Sequence, residues 1–209
     1  MVSERGSSAT RWAGVSPADR RSGRRALLVE AAFELFGTGG EAAVSVRAVC
    51  RAARLHARYF YENFADTGEL LGAVYDEVAA ELAERLLAVE SAATGGDLVS
   101  RLRAGIHAVL EFSSADPRRG RVLFTEGRAN PVLAARRQAT QTALMDAALQ
   151  QSAQVRPETD PRQAVVSAAM FTGSMVELAH QWLSGALGDD LDAVVEHAAF
   201  LVMHGDPRC

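Results

Sequence analysis

Residues 47–63 hold four arginines, two tyrosines and one glutamate. Guanidinium groups bind phosphates and guanine edges through paired hydrogen bonds, and phenol and amide groups grip the sugar-phosphate backbone. Within residues 56–64 the apolar Ala57, Phe60 and Phe64 recur at i, i+3 and i+7, a single anchor face for a short helix. At roughly 100° per residue, Arg58, Tyr59 and Glu62 point away from that face, while His56, Tyr61 and Asn63 flank it. The chemistry is that of a helix laid against duplex DNA.

Such a helix needs support. Ser45 is placed to cap a preceding helix by accepting a free backbone N–H. Val46, Val49, Cys50 and Ala53 then give that helix one buried stripe. Helices of one or two turns are not stable alone. An upstream stripe of Leu27, Leu28, Ala31, Ala32, Leu35 and Phe36 predicts a third helix over residues 23–36, ending at the glycine cluster 37–40. Downstream, Asp66 and Glu69 have the D-x-x-E spacing of a helix start. A long connecting helix follows, with Leu71, Val74, Val78, Leu82 and Leu86 on one side and its end near Ser91.

The A-x-x-A-x-L segment (with Cys50 for its first alanine), Tyr61-Glu62-Asn63-Phe64 and the spacing to Leu70-Leu71 resemble the TetR/AcrR family of bacterial transcriptional regulators. RYFYENFAD is most similar to actinobacterial members, and the pattern covers about residues 24–75. The resemblance implies a homodimer on a palindromic double-stranded operator, released by a small-molecule effector. It places Ser45 at a phosphate, with Val46 and Arg47 beside it at the start of the second helix. It places His56, Ala57, Arg58 and Tyr59 at base-reading positions, and Tyr61 and Asn63 at phosphates. Two departures stand out. The family's turn glycine is Arg54, and its lysine-glutamate pair is Thr67-Gly68, which weakens the phosphate contact expected at Thr67.

The net charge of −4 speaks against nucleic acid until it is divided along the chain. Residues 1–65 carry ten arginines and six acids, net +4, whereas residues 66–209 carry twelve and twenty, net −8. A basic head on an acidic body suits a protein that touches phosphate at one end. All 22 basic residues are arginine, which reflects genome composition rather than function. Residues 1–21 lack periodicity and are expected to form a disordered basic arm, a solvated tail or a minor-groove reach through Arg5, Arg11, Arg20 or Arg21. No apolar run approaches 18 residues and no secretory core opens the chain, so a cytoplasmic protein without membrane contact is expected. Cys50 reads as a small buried apolar residue, and two distant cysteines make no disulfide framework.

The expected fold is all-α: an N-terminal three-helix bundle with helix-turn-helix over residues 22–66, then a larger helical ligand-binding and dimerisation domain over 67–209. In that body, Asp97 caps a helix to about Ser114, and Asp116-Pro117 breaks it. A short helix over 118–127 follows, in a segment (DPRRGRVLF) resembling actinobacterial relatives. Pro131 opens another to about Gln154, Asp160-Pro161 starts one reaching Leu187, and the last covers about 191–204. The last two helices are so rich in Val, Ala and other small residues that they predict a two-fold four-helix interface.

Polar or polarizable residues inside apolar stripes nominate an effector pocket: His107, Phe112, Phe124, Met145, Phe171, Met175, Glu177, His180 and Trp182. Each also fits ordinary packing, and Glu177 with His180 fits a surface pair. No metal-ligand spacing, nucleophile elbow or glycine-rich phosphate loop on a strand occurs, so no cofactor, metal or catalysis is expected. The GTGGEA stretch has neither a preceding strand nor a lysine. The expected function is a ligand-responsive DNA-binding regulator, a repressor. The competing reading, a helical small-molecule sensor or carrier with a vestigial head, rests on the departures at Arg54 and Thr67-Gly68.

Overall fold

The computed structural model describes residues 17–92, 97–155 and 157–204, and every regular element among them is helical. Nine α-helices follow in order: α1 (Pro17–Gly39), α2 (Val46–Ala52), α3 (Ala57–Tyr61), α4 (Thr67–Ala92), α5 (Leu98–Ala115), α6 (Pro117–Gly120), α7 (Pro131–Val155), α8 (Pro161–Leu183) and α9 (Leu191–His204). A 3₁₀ turn (Glu41–Ala43) follows α1, and a π-helical turn (Arg121–Thr125) continues α6. Among the described residues no helix is long and apolar enough to cross a membrane.

Helix starts follow the side chains that satisfy their free N–H groups. Ser45 accepts from Ala48 N–H (3.2 Å), Asp97 from Ser100 (2.7 Å) and Asp160 from Arg162 (2.9 Å) and Gln163 (3.2 Å). Asp66 accepts from Glu69 N–H at 2.8 Å, while the Glu69 carboxylate reaches back to Ala65 N–H at 2.7 Å.

Several boundaries differ from those expected: α3 spans Ala57–Tyr61 rather than 56–64, and α1 runs past Phe36 to Gly39. α1 begins at Pro17, so residues 17–21 are helical rather than part of an arm; residues 1–16 of that arm, with Arg5 and Arg11, lie outside the described residues. Their apolar pattern could not show this, because tertiary contacts hold this part of α1. Arg21 donates to the Glu62 carbonyl, and Arg24 and Arg25 pair with Glu62 and Glu77. The segment expected as one helix over 118–127 divides into α6 and the π-helical turn. α8 stops at Leu183 instead of Leu187, where Gly185 takes a positive φ of 77° and ends the winding.

The packing forms two clusters. The larger joins Leu28, Ala32 and Phe36 of α1, Val49 and Cys50 of α2, Phe60, Phe64 and the first turns of α4 to Phe112, Val122, Leu123 and Leu133. The border expected between residues 66 and 67 is therefore crossed by continuous packing. The smaller cluster joins Ile106 and Leu110 of α5, Ala179 of α8, and Val195 and Ala199 of α9. Cys50 is 6% exposed, and burial raises its thiol pKa above the ordinary value.

Candidate nucleic-acid interface

The turn between α2 and α3 is set by Arg54, the only described non-glycine residue with positive φ (55°). Leu55 N–H bonds Cys50 O at 2.9 Å, and Arg54 N–H bonds Arg51 O at 3.3 Å. Those two bonds close a Schellman cap, whose left-handed residue is usually glycine. Arg54 therefore takes glycine's conformation, at a cost of roughly 1–2 kcal/mol. Leu55 packs on the core just beyond it.

α3 is anchored by Phe60, which is fully buried, and by Phe64, 3% exposed, just past its end. Ala57 is exposed, contrary to the expected three-residue anchor face. α3 is only five residues long, and its first turn is exposed. Ala57 thus stands with His56 and Arg58 on the open side. His56 precedes α3 as its N-cap without a side-chain capping bond, and Tyr61 is 63% exposed. Tyr59 is half-buried, with the guanidinium carbons of Arg24 and Arg58 4.5 and 5.1 Å from its ring centroid. Asn63 is half-buried and donates Nδ2 to Tyr59 O at 2.7 Å, so it closes the end of α3. Ser45 and Arg47 are exposed, whereas Val46 packs partly on the core. Thr67 opens α4 half-buried.

Two interacting groups escaped the sequence reading. The first is α1: Arg21, Arg24 and Arg25 reach α3 and α4, and Arg24 pairs with Glu62 at 3.5 Å. The second is the DPRRGR segment, which joins body to head. Arg118 pairs with Glu34 and with Asp116, and lies over Phe33 at 5.1 Å. Arg121 Nη1 donates to Thr38 O at 2.7 Å, and Asn130 Nδ2 to Glu41 Oε1 at 2.7 Å. The consecutive arginines were the available signal, though sequence alone did not name their partners. Hydrogen bonds from Arg118 hold the Asp116 carboxyl below the ordinary carboxylate range. From α7, Arg137 donates to the carbonyls of Leu123 (3.0 Å), Val122 (3.1 Å), Gly127 (3.4 Å) and Glu126, satisfying the end of the π-helical turn. Burial lowers the pKa of this guanidinium.

The nominated pocket residues do not form one site. Met175 and Trp182 pack against the body cluster, and Phe124 packs against both clusters. Phe112 belongs to the larger cluster, under the Arg119 guanidinium at 4.7 Å. His107 lies between the Glu111 and Asp192 carboxylates, 3.9 Å from each. Glu177 is exposed and accepts from Gln181 at 2.6 Å. Met145, Phe171 and His180 are half-buried. Trp182 Nε1 and His180 Nδ1 are buried without a hydrogen-bond partner. Two residues apart on one helix, they face different directions. An open groove of about 630 Å³ runs between α5 and α9, past Arg103, Glu196, His197 and Phe200, and none of the nominated residues lines it. Among the described residues no cluster of His, Cys, Asp or Glu is placed to hold a metal.

Residues 28–74 match the family model described as bacterial regulatory proteins, tetR family. No protein of curated function matches the chain by sequence. Among solved structures, a transcriptional regulator from Rhodococcus sp. Rha1 superposes with a TM-score of 0.70 at 21% identity, over 87% of this chain and 96% of its own. NalD, the secondary repressor of the MexAB-OprM multidrug efflux pump in Pseudomonas aeruginosa, gives 0.69 at 19% identity over 89% and 96%. The regulator FadR from Bacillus subtilis, in complex with stearoyl-CoA, gives 0.68 at 15% over 85% and 96%. These likenesses extend the shared fold over the body.

Proposed function

We propose, from the premise that this chain is a DNA-binding transcriptional regulator of the TetR family, that it works in the cytoplasm as a ligand-released repressor. The observation that carries this reading is α3 itself. Buried Phe60 fixes the helix, while His56, Ala57, Arg58 and Tyr61 stand exposed on it and Arg58 is 75% exposed along its side chain. The Schellman cap at Arg54 keeps the turn's geometry without its usual glycine, which speaks against a vestigial head.

A homodimer through α8 and α9 seats two such helices in successive major grooves of a palindromic operator, about 34–36 Å apart. Supporting this, Val166, Met170, Phe200 and Leu201 are 56, 71, 56 and 57% exposed on those two helices, more apolar surface than an isolated protomer leaves in water. The effector binds in the body beside Phe124, Met175 and Trp182. An unpaired buried N–H costs about 1–3 kcal/mol, which a ligand acceptor at Trp182 Nε1 would recover. Phe124 belongs to the π-helical turn, and the α6 side of that turn is pinned to α1, so a ligand there reaches the head by a route other than α4 alone. A hundredfold loss of operator affinity needs about 2.7 kcal/mol of preference for the released state.

A gel-shift series with DNA flanking the protein's own coding region tests the reading. Binding should weaken steeply with salt. Arg58→Ala should cost about 1–3 kcal/mol and relax sequence discrimination, whereas Tyr61→Phe should weaken all sites alike. Met170→Arg should leave a folded monomer by light scattering. Retention of DNA unchanged by both head substitutions would remove α3 as the reading helix.

A further inference from the structure

The outward side of α3 carries a carboxylate in the middle of its cations. Glu62 Oε1 lies 3.2 Å from Arg58 Nε and Glu62 Oε2 lies 3.5 Å from Arg24 Nη2, while both guanidiniums lie near the Tyr59 ring. Arg21 holds the Glu62 carbonyl from α1. The side chains of Arg24, Glu62 and Arg58 are 24, 38 and 75% exposed, so Arg24 is fixed by packing and Arg58 is the member free to turn outward. A polyanion approaching this face meets Arg58 already engaged, with a negative charge beside it.

We propose that Glu62 is a specificity-determining residue that masks Arg58 from phosphates and leaves it able to read a base edge. The inference rests on the reading of α3 as the DNA-reading helix. A phosphate offers Arg58 one more carboxylate-like partner and must expel Glu62 to gain it. A guanine edge offers O6 and N7 together, a bidentate contact that discriminates between bases. A phosphate is charged and is repelled by the Glu62 carboxylate, whereas an uncharged guanine edge can take the Arg58 Nη groups while Nε stays on Glu62, so only random DNA binding bears the cost of the pair. An exposed i, i+4 ion pair is worth about a twofold factor per protomer, hence about fourfold for a dimer. Removing the charge should also steepen the salt dependence on random duplex by roughly 1 to 2 in log–log slope.

The test uses the full-length protein with a random-sequence 30-bp duplex and the tightest duplex that the wild type recovers from a random pool. Glu62→Gln should bind the random duplex about fourfold more tightly and the selected duplex within twofold of wild type, with circular dichroism unchanged. In an Arg58→Gln background the same substitution should have no effect. Arg58→Gln alone should weaken the selected duplex at least tenfold and leave random binding within twofold. Equal gains on both duplexes, or a Glu62→Gln gain that persists without Arg58, would show a general charge effect and overturn the proposal. Should Glu62→Gln fail to fold, Arg58→Gln decides by itself, since equal losses on both duplexes sink the masking role. A wild type that retains neither duplex would instead overturn the reading of α3, and this inference with it.

Discussion

Gly37 and Arg118 are 81 residues apart in sequence, yet a Cβ added at Gly37 would stand 2.5 Å from Arg118 Cβ and 3.1 Å from its Cα. The head meets the body here as backbone against backbone, with the Arg118–Glu34 pair alongside. Because α6 sits on α1 at this seam, the body has a grip on the head besides the shared helix α4.

Gly37→Ala has no room without moving α6. Overpacking of this kind costs about 1–3 kcal/mol. Thermal denaturation should show a lowered midpoint. An unchanged midpoint would mean the seam yields freely.

Arg137→Met keeps the length of the side chain and removes its donors from four carbonyls at the end of the π-helical turn. Leaving buried acceptors unpaired costs about 1–3 kcal/mol each where water cannot reach. Because Arg137 is only half-buried, the expected total is about 2–4 kcal/mol, read as a lower urea midpoint at unchanged slope.

Arg54→Gly relieves the left-handed strain but loosens the unfolded chain, two effects of about 1 kcal/mol that oppose each other. A small gain in stability, under about 1 kcal/mol, is expected. Arg54→Val, β-branched at φ 55°, should lose more than 1 kcal/mol and so test the conformation itself.

Asp116 is held ionised by Arg118 and has a folded pKa below its ordinary value of about 3.9. Its contribution is present above that ordinary value and is lost as pH falls through the lower folded value. Between pH 4 and pH 2, wild-type stability should therefore decline more steeply than that of Asp116→Asn. Parallel acid limbs would show that the Asp116–Arg118 pair contributes nothing measurable.

The helix-turn-helix was legible because its signals are local. Ser45 caps within three residues, Val49 and Cys50 bury by helical period, and the α5, α7 and α9 boundaries follow Asp97, Pro131 and Asp190. That Arg54 must adopt glycine's backbone was implied by the family resemblance, whose turn glycine it replaces. The first residues of α1 were not legible, since Arg21 and Arg24 are held by Glu62, about 40 positions away. The same holds for the role of Ala57, whose exposure depends on where a five-residue helix meets its neighbours. Pocket nomination was weakest, because the aromatic and methionine stripes of α5 and α8 look alike whether they pack on one another or on a ligand.

Sequence by itself determined what neighbours in the chain can enforce: all-helical winding, the capped turn before α3, and a basic head set on an acidic body. Tertiary structure alone decided the rest: that Arg118 and Arg121 bind α1, that Arg137 closes the π-helical turn, and that Glu62 occupies Arg58 and Arg24 together. The physical reason is reach. A cap or an apolar stripe is fixed within a turn or two, whereas a guanidinium accepts any carboxylate or carbonyl that folding brings within hydrogen-bond distance, and only the packed chain chooses which.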